Sequence, residues 1–93
     1  MVIISQDKTM ILNFEYIETI EIRNPLENND GKFKILCDTT SDNQYTIAEY
    51  EKEKRAKGVL QEIIKSYREY RTAVVDGYTN VLEETAVYEM PER

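Results

Sequence analysis

Asp38 and Asp42 bracket a short polar loop, Glu83 and Glu84 stand side by side near the C-terminus, and one thiol, Cys37, lies in an alternating stretch. Carboxylates this close together can hold a hard cation through oxygen ligands. A thiol can act as a nucleophile when its surroundings depress its pKa. The neighbouring residues argue against both. Asp38-Thr39-Thr40-Ser41-Asp42-Asn43 lacks the central glycine and the closing bidentate glutamate of an EF-hand loop, so solvated loop acids are expected there. The chain contains no histidine, which removes the usual neutral-pH acid–base, the Ser-His and Cys-His dyads and most transition-metal chemistry. Cys37 shares a strand face with Phe33 and Ile35 and reads as a buried thiol. A lone cysteine excludes an internal disulfide framework and an all-cysteine zinc site. Three glycines could hardly form a phosphate-cradling loop. The expectation is a non-catalytic protein with no catalytic residue, no metal site and no cofactor.

Two other groups of residues could serve recognition. Lys52, Lys54, Arg55, Lys57, Lys65, Arg68 and Arg71 crowd one segment, where a helix could present Lys54, Lys57, Lys65 and Arg68 to phosphates. The interleaved acids and a net charge of −6 weigh against nucleic acid, and a solvated helix face explains the pattern without a ligand. The seven tyrosines are too many for a thin core. Tyrosine combines apolar area with a hydroxyl and is enriched in protein–protein contacts. Tyr45, Tyr50, Tyr70 and Tyr88 are therefore candidates for a partner or dimer surface, set against boundary packing with hydroxyls reaching water.

These residues sit on a chain of 93 residues, 41% hydrophobic and 32% charged. That length fits one domain, and a fold of this size buries only about 60–65% of its extended surface. No apolar run approaches the roughly 20 residues of a membrane span, and the first residues do not read as a signal peptide. A soluble cytoplasmic protein is the expectation.

Residues 1–50 read as β structure. Val2-Ile3-Ile4 and Met10-Ile11-Leu12 flank a polar turn. From Ile17 to Ile22 a period of two is mixed with a pair at positions 17 and 20, which predicts a strand with an irregularity near Thr19. Asn24-Pro25 opens a loop that ends at the turn dipeptide Asp30-Gly31. Phe33, Ile35 and Cys37 then alternate with Lys32, Lys34 and Asp38, and Tyr45 and Ile47 follow a loop at residues 40–43. Ala56, Val59, Leu60, Ile63, Ile64 and Tyr67 recur at spacings of three and four and predict a helix over 51–71. Gly58 lies just outside that stripe and reads as a tolerated exposed position. In the tail, Asp76-Gly77 marks a turn, Val81-Leu82 is too short to classify, and Val87-Tyr88-Glu89-Met90 reads as a short strand stopped by Pro91.

Ile3-Ile4-Ser5-Gln6-Asp7, Asn13, Ile17, Ile20, Ile47-Ala48-Glu49-Tyr50, Arg55-Ala56, Val59-Leu60-Gln61-Glu62-Ile63 and Val87-Tyr88-Glu89-Met90-Pro91 together resemble a family of small uncharacterised proteins of Firmicutes bacteria, their phages and mobile elements. The resemblance implies a small sheet packed on one helix and implies no activity. Two positions depart from it. Lys52 stands at the helix start, where such proteins tend to have Ser or Thr, and Ala48 stands where Gly is common. Lysine cannot accept first-turn amide hydrogen bonds.

The expected fold is α+β, with an antiparallel meander of four to five short strands packed on one long amphipathic helix and a short C-terminal strand returning to the sheet. The expected function is a protein-interaction or accessory module that binds a protein partner or itself. Weak nucleic-acid binding by the helix face is the alternative. No membrane or small-molecule partner is expected.

Overall fold

A computed structural model describes residues 1–27, 31–77 and 86–93. Asp30, Val81-Leu82 and Glu83-Glu84, named above, and Tyr78, one of the seven tyrosines, lie outside the described residues. The strands are β1 (Val2–Ile4), β2 (Ile11–Asn13), β3 (Ile17–Arg23), β4 (Phe33–Thr39), β5 (Gln44–Tyr50) and β6 (Val87–Glu89), with one long helix, α1 (Glu53–Asp76). Single 3-10 turns at Phe14–Tyr16 and Pro25–Glu27 flank β3. The fold is α+β, as the patterning predicts. Its strands are divided between two three-stranded sheets, in the orders β2-β1-β6 and β3-β4-β5.

The larger sheet is an antiparallel meander. Ile35 lies opposite Ile22 on one side and Ala48 on the other, and Cys37 lies opposite Ile20 and Tyr45. The pleat therefore turns one apolar face to α1, where Ile35, Cys37, Ala56 and Val59 are each fully buried. The register of β3 shifts between Ile17 and Thr19. That bulge at Glu18 explains the mixed period in the sequence, because one extra residue returns Ile17 to the face of Ile20 and Ile22. The opposite face is polar apart from Leu36, which is buried between Glu21 and Thr46. Thr19 donates to Asp38 (2.8 Å), Gln44 donates to the other Asp38 oxygen (3.0 Å), and Arg23 donates to Gln44 (3.3 Å).

The smaller sheet is built on β1, which pairs antiparallel with β2 and parallel with β6. Ile3 at its centre is fully buried between Leu12 and Tyr88. The C-terminal strand docks as the sequence predicts. The amide of Met90 extends the pairing to the carbonyl of Ile4 (3.0 Å), and Met90 is 1% exposed.

The helix differs from its predicted span of 51–71, running from Glu53 to Asp76. Ala73, Val74 and Val75 continue it because no breaker intervenes, and Ala73 is buried. It stops at Gly77, whose φ of 73° is left-handed and whose N–H bonds Ala73 O at 2.8 Å. An added Cβ at Gly58 would meet nothing within 4 Å, in keeping with a tolerated open position. At the other end Lys52 is the N-cap, with extended backbone and no side-chain cap bond. Lys52→Ser should raise the unfolding free energy by about 0.5–1.5 kcal/mol, because a hydroxyl would satisfy a first-turn amide. Urea denaturation of the two proteins checks it, and an unchanged midpoint would contradict it. Among the described residues no helix is long and apolar enough to cross a membrane.

Candidate functional site

β3 is an edge strand. It pairs with β4 on one side, and among the described residues no strand pairs with its other side. Among the described residues no strand bonds its outer row of amides and carbonyls, the kind of edge that another chain can join. The helix beside it carries more apolar surface than the sheet covers. From Val59 round to Ile64 the apolar positions span about 140° at 3.6 residues per turn. Val59 and Ile63 are buried, but Ile64 remains 43% exposed.

Between the edge and this surplus runs a groove of about 450 Å³, lined chiefly by Phe14, Ile17, Ile20, Leu60, Ile64 and Tyr67. The 3-10 turn at Phe14–Tyr16 forms one wall. Asn13 caps it by accepting from the amide of Glu15 (3.0 Å), and Phe14 stacks on Tyr67 with ring centroids 4.4 Å apart. Glu18 on the strand rim and Arg68 on the helix rim also line the groove. Both are exposed, and neither makes an ion pair with a described residue. An apolar channel beside an open strand edge suits an extended chain, which would contribute backbone bonds to the edge and alternate side chains to the channel.

The tyrosines named from the sequence do not make up this surface. Tyr50 is 4% exposed and belongs to the core. Its hydroxyl donates to Pro91 O (2.6 Å) and Arg55 lies over its ring, so it is withdrawn from any docking face. Tyr88 is half-buried and donates to Glu62 (2.8 Å). Tyr45 and Tyr70 are half-buried against the core, with Tyr70 beside Tyr67. Among the described residues the exposed tyrosine is Tyr16, at 61%. Sequence reasoning missed the groove because it placed Ile64 in the apolar stripe of the helix and gave Phe14 no role. The excess width of the helix stripe was the signal that could have revealed it.

Burial pushes the Tyr50 hydroxyl up to about 12, with Arg55 opposing and Glu62 adding to the shift. Burial raises Tyr88 as well, and its hydrogen bond to Glu62 pushes it further. A phenol whose pKa is higher folded than unfolded stabilises the fold fully below its unfolded value of about 10. That contribution is lost as pH rises through the folded value. The thermal midpoint should therefore fall between pH 10 and about 12. In Tyr50→Phe the fall should be shallower, and equal slopes would refute the assignment.

The remaining polar candidates are placed as follows. Lys54, Lys57, Lys65 and Arg68 are all exposed. They fall within about 80° of one another on the helix, opposite its buried face. Lys57 pairs with Glu53 (2.7 Å) and Lys65 with Glu69 (4.0 Å). Both carboxylate oxygens of Asp38 are taken by Thr19 and Gln44, and Asp42 sits at the loop with φ 62°. Cys37 is fully buried, and burial followed by the charge of Asp38 raises its pKa, which holds it as the unreactive thiol. Among the described residues no group of three or more potential ligands could hold a metal ion.

Fold and surface together define a small α+β protein in which, among the described residues, β3 is an edge strand beside an apolar groove. Searches against protein-family models, curated proteins and solved structures return no match.

Proposed function

We propose that the chain is a small non-catalytic protein-interaction module, acting in the cytoplasm as an accessory protein of a Firmicutes phage or mobile element. It binds protein by strand addition at β3. The observation that carries this reading is the coincidence of the open β3 edge with the apolar groove beside it. Either feature alone is common. Together they offer main-chain pairing and side-chain pockets to the same extended segment. The origin rests on the sequence resemblance.

A second reading has its own observation: Lys54, Lys57, Lys65 and Arg68 share one exposed arc, which could meet a phosphate backbone. Affinity capture from host lysate, with and without nuclease, separates the two. A stoichiometric protein that survives nuclease, and is lost when Ile64→Glu places a charge in the groove, supports the interaction module. Partners that vanish with nuclease, together with salt-sensitive nucleic-acid binding abolished by charge reversal at Lys54, Lys57 and Arg68, would put the helix arc in its place.

A further inference from the structure

We infer that β1 and the first half of α1 form a second peptide-recognition cleft, apart from the β3 groove, which reads an extended segment of pattern Tyr-X-Met-Pro. Residues 86–93 of the chain itself occupy this cleft and close it to other proteins that carry the pattern. The inference does not depend on the β3 reading.

The segment is held as a peptide ligand is held. Its burial alternates: Val87 and Glu89 are exposed, Tyr88 is half-buried, and Met90 is 1% exposed. β6 lies parallel to β1, with the amide of Val2 donating to Ala86 O (2.8 Å) and that of Met90 to Ile4 O (3.0 Å). Pro91 has no amide with which to continue the ladder, and side chains take over. Gln6 donates to Pro91 O (3.2 Å) and Glu92 O (3.0 Å), Tyr50 to Pro91 O (2.6 Å), and Arg55 Nε to Arg93 O (2.8 Å). Among the described residues, the polar contacts to side chains of the segment are Tyr88 with Glu62 (2.8 Å) and an exposed Lys8–Glu89 ion pair (3.6 Å).

Bonds to the main chain accept any extended segment, so selection falls to the inward side chains, Tyr88 and Met90. Glu62 is a fixed acceptor for a phenol, because Arg55 donates to its other oxygen (3.1 Å). Met90 enters the buried cluster of Ile3, Ile47, Ala56 and Val59, where an unbranched thioether fits and a charge does not. The groups that grip the segment lie between Val2 and Glu62, so receptor and ligand are separate stretches of the chain. A short edge strand with one fully buried anchor is a contact that opens before the core does. Covalent attachment then returns it at high effective concentration. The segment thus acts as an internal competitor for the cleft.

In the full chain, Tyr88→Glu with Met90→Asp should expel the segment, since one charge faces Glu62 and the other the apolar cluster. Every cleft residue is kept. Fluorescence anisotropy with a labelled, end-blocked peptide Ala-Val-Tyr-Glu-Met-Pro-Glu-Arg should then show saturable binding. Wild type should bind it at least about tenfold more weakly, because its own segment fills the cleft. Replacing the peptide's tyrosine by phenylalanine should cost about tenfold in affinity, from one bond to a charged acceptor. That difference should vanish when Glu62→Ala is added to the chain. A scrambled peptide should not bind.

A variant that keeps its far-UV circular dichroism and binds no peptide would overturn the proposal, as would equal affinity for the native and scrambled peptides. A phenylalanine peptide that binds as tightly would overturn the Tyr-X-Met-Pro pattern. Should the variant not fold, wild type decides. Excess peptide should accelerate hydrogen exchange at the Met90 amide and leave the β4 amides unchanged, and no acceleration overturns the proposal. None of these variants touches the β3 groove, so Ile64→Glu tests that reading separately.

Discussion

Ile35→Ala should lower the unfolding free energy by about 2–5 kcal/mol, the range for removing a buried isoleucine side chain. Ile35 is fully buried at the middle of the central strand of the larger sheet, between Ile22 and Ala48 and beneath α1. Both neighbouring strands are hydrogen-bonded to β4, so the backbone cannot settle into the space left behind. Ala48 is too short to reach into it. A domain of this length is held by only about 5–14 kcal/mol, so the loss would be a large fraction of the whole. Urea denaturation gives the comparison, with Ile11→Ala as control because Ile11 is 72% exposed. A loss below about 1 kcal/mol at Ile35 would show that the larger sheet is not the centre of the core.

Gln6→Ala should cost about 2–3 kcal/mol, from several hydrogen bonds worth roughly 1 kcal/mol each. Gln6 joins the two sheets. Its amide donates to Ile47 O (2.8 Å). Its side-chain oxygen accepts from the amide of Glu49 (2.8 Å), and its side-chain nitrogen donates to Glu49 O (3.0 Å). The carboxamide thus pairs with the edge of β5 as a backbone peptide would. The same nitrogen reaches Pro91 O (3.2 Å) and Glu92 O (3.0 Å), tying down the chain beyond β6. Gln6→Glu should be no milder, because a carboxylate would face three carbonyl oxygens without a proton to give. Hydrogen exchange at the Met90 amide, which bonds Ile4 O, should accelerate in both variants. Unchanged exchange would mean that β6 is held by its strand pairing alone.

The Gln6 contacts also account for residues that the sequence could only point to. Ser5-Gln6-Asp7 and Met90-Pro91 are far apart in the chain, and in the fold they meet. Ser5 and Asp7 close the β1–β2 turn, with Ser5 Oγ donating to Asp7 (2.8 Å). Gln6 and Tyr50 both hold Pro91. Of the candidate surface, less was legible. Burial of Cys37 followed from its alternation with Phe33 and Ile35, but Tyr50 was misplaced because tyrosine suits boundary and core alike. Whether its ring is covered depends on Pro91 and Arg55, which periodicity does not bring near it.

Local pattern by itself determined the α+β class, the strand that carries an irregularity near Thr19, the buried face of the helix and the returning C-terminal strand. These are properties of neighbouring residues: alternation and a three-to-four spacing. Only the tertiary structure decided that the six described strands divide into two sheets, that β6 runs parallel to β1, that the helix continues to Asp76, and that among the described residues β3 has no strand on its outer side, beside a groove. Those outcomes depend on which distant segments meet, and a residue's own neighbours carry no record of its partners across the fold.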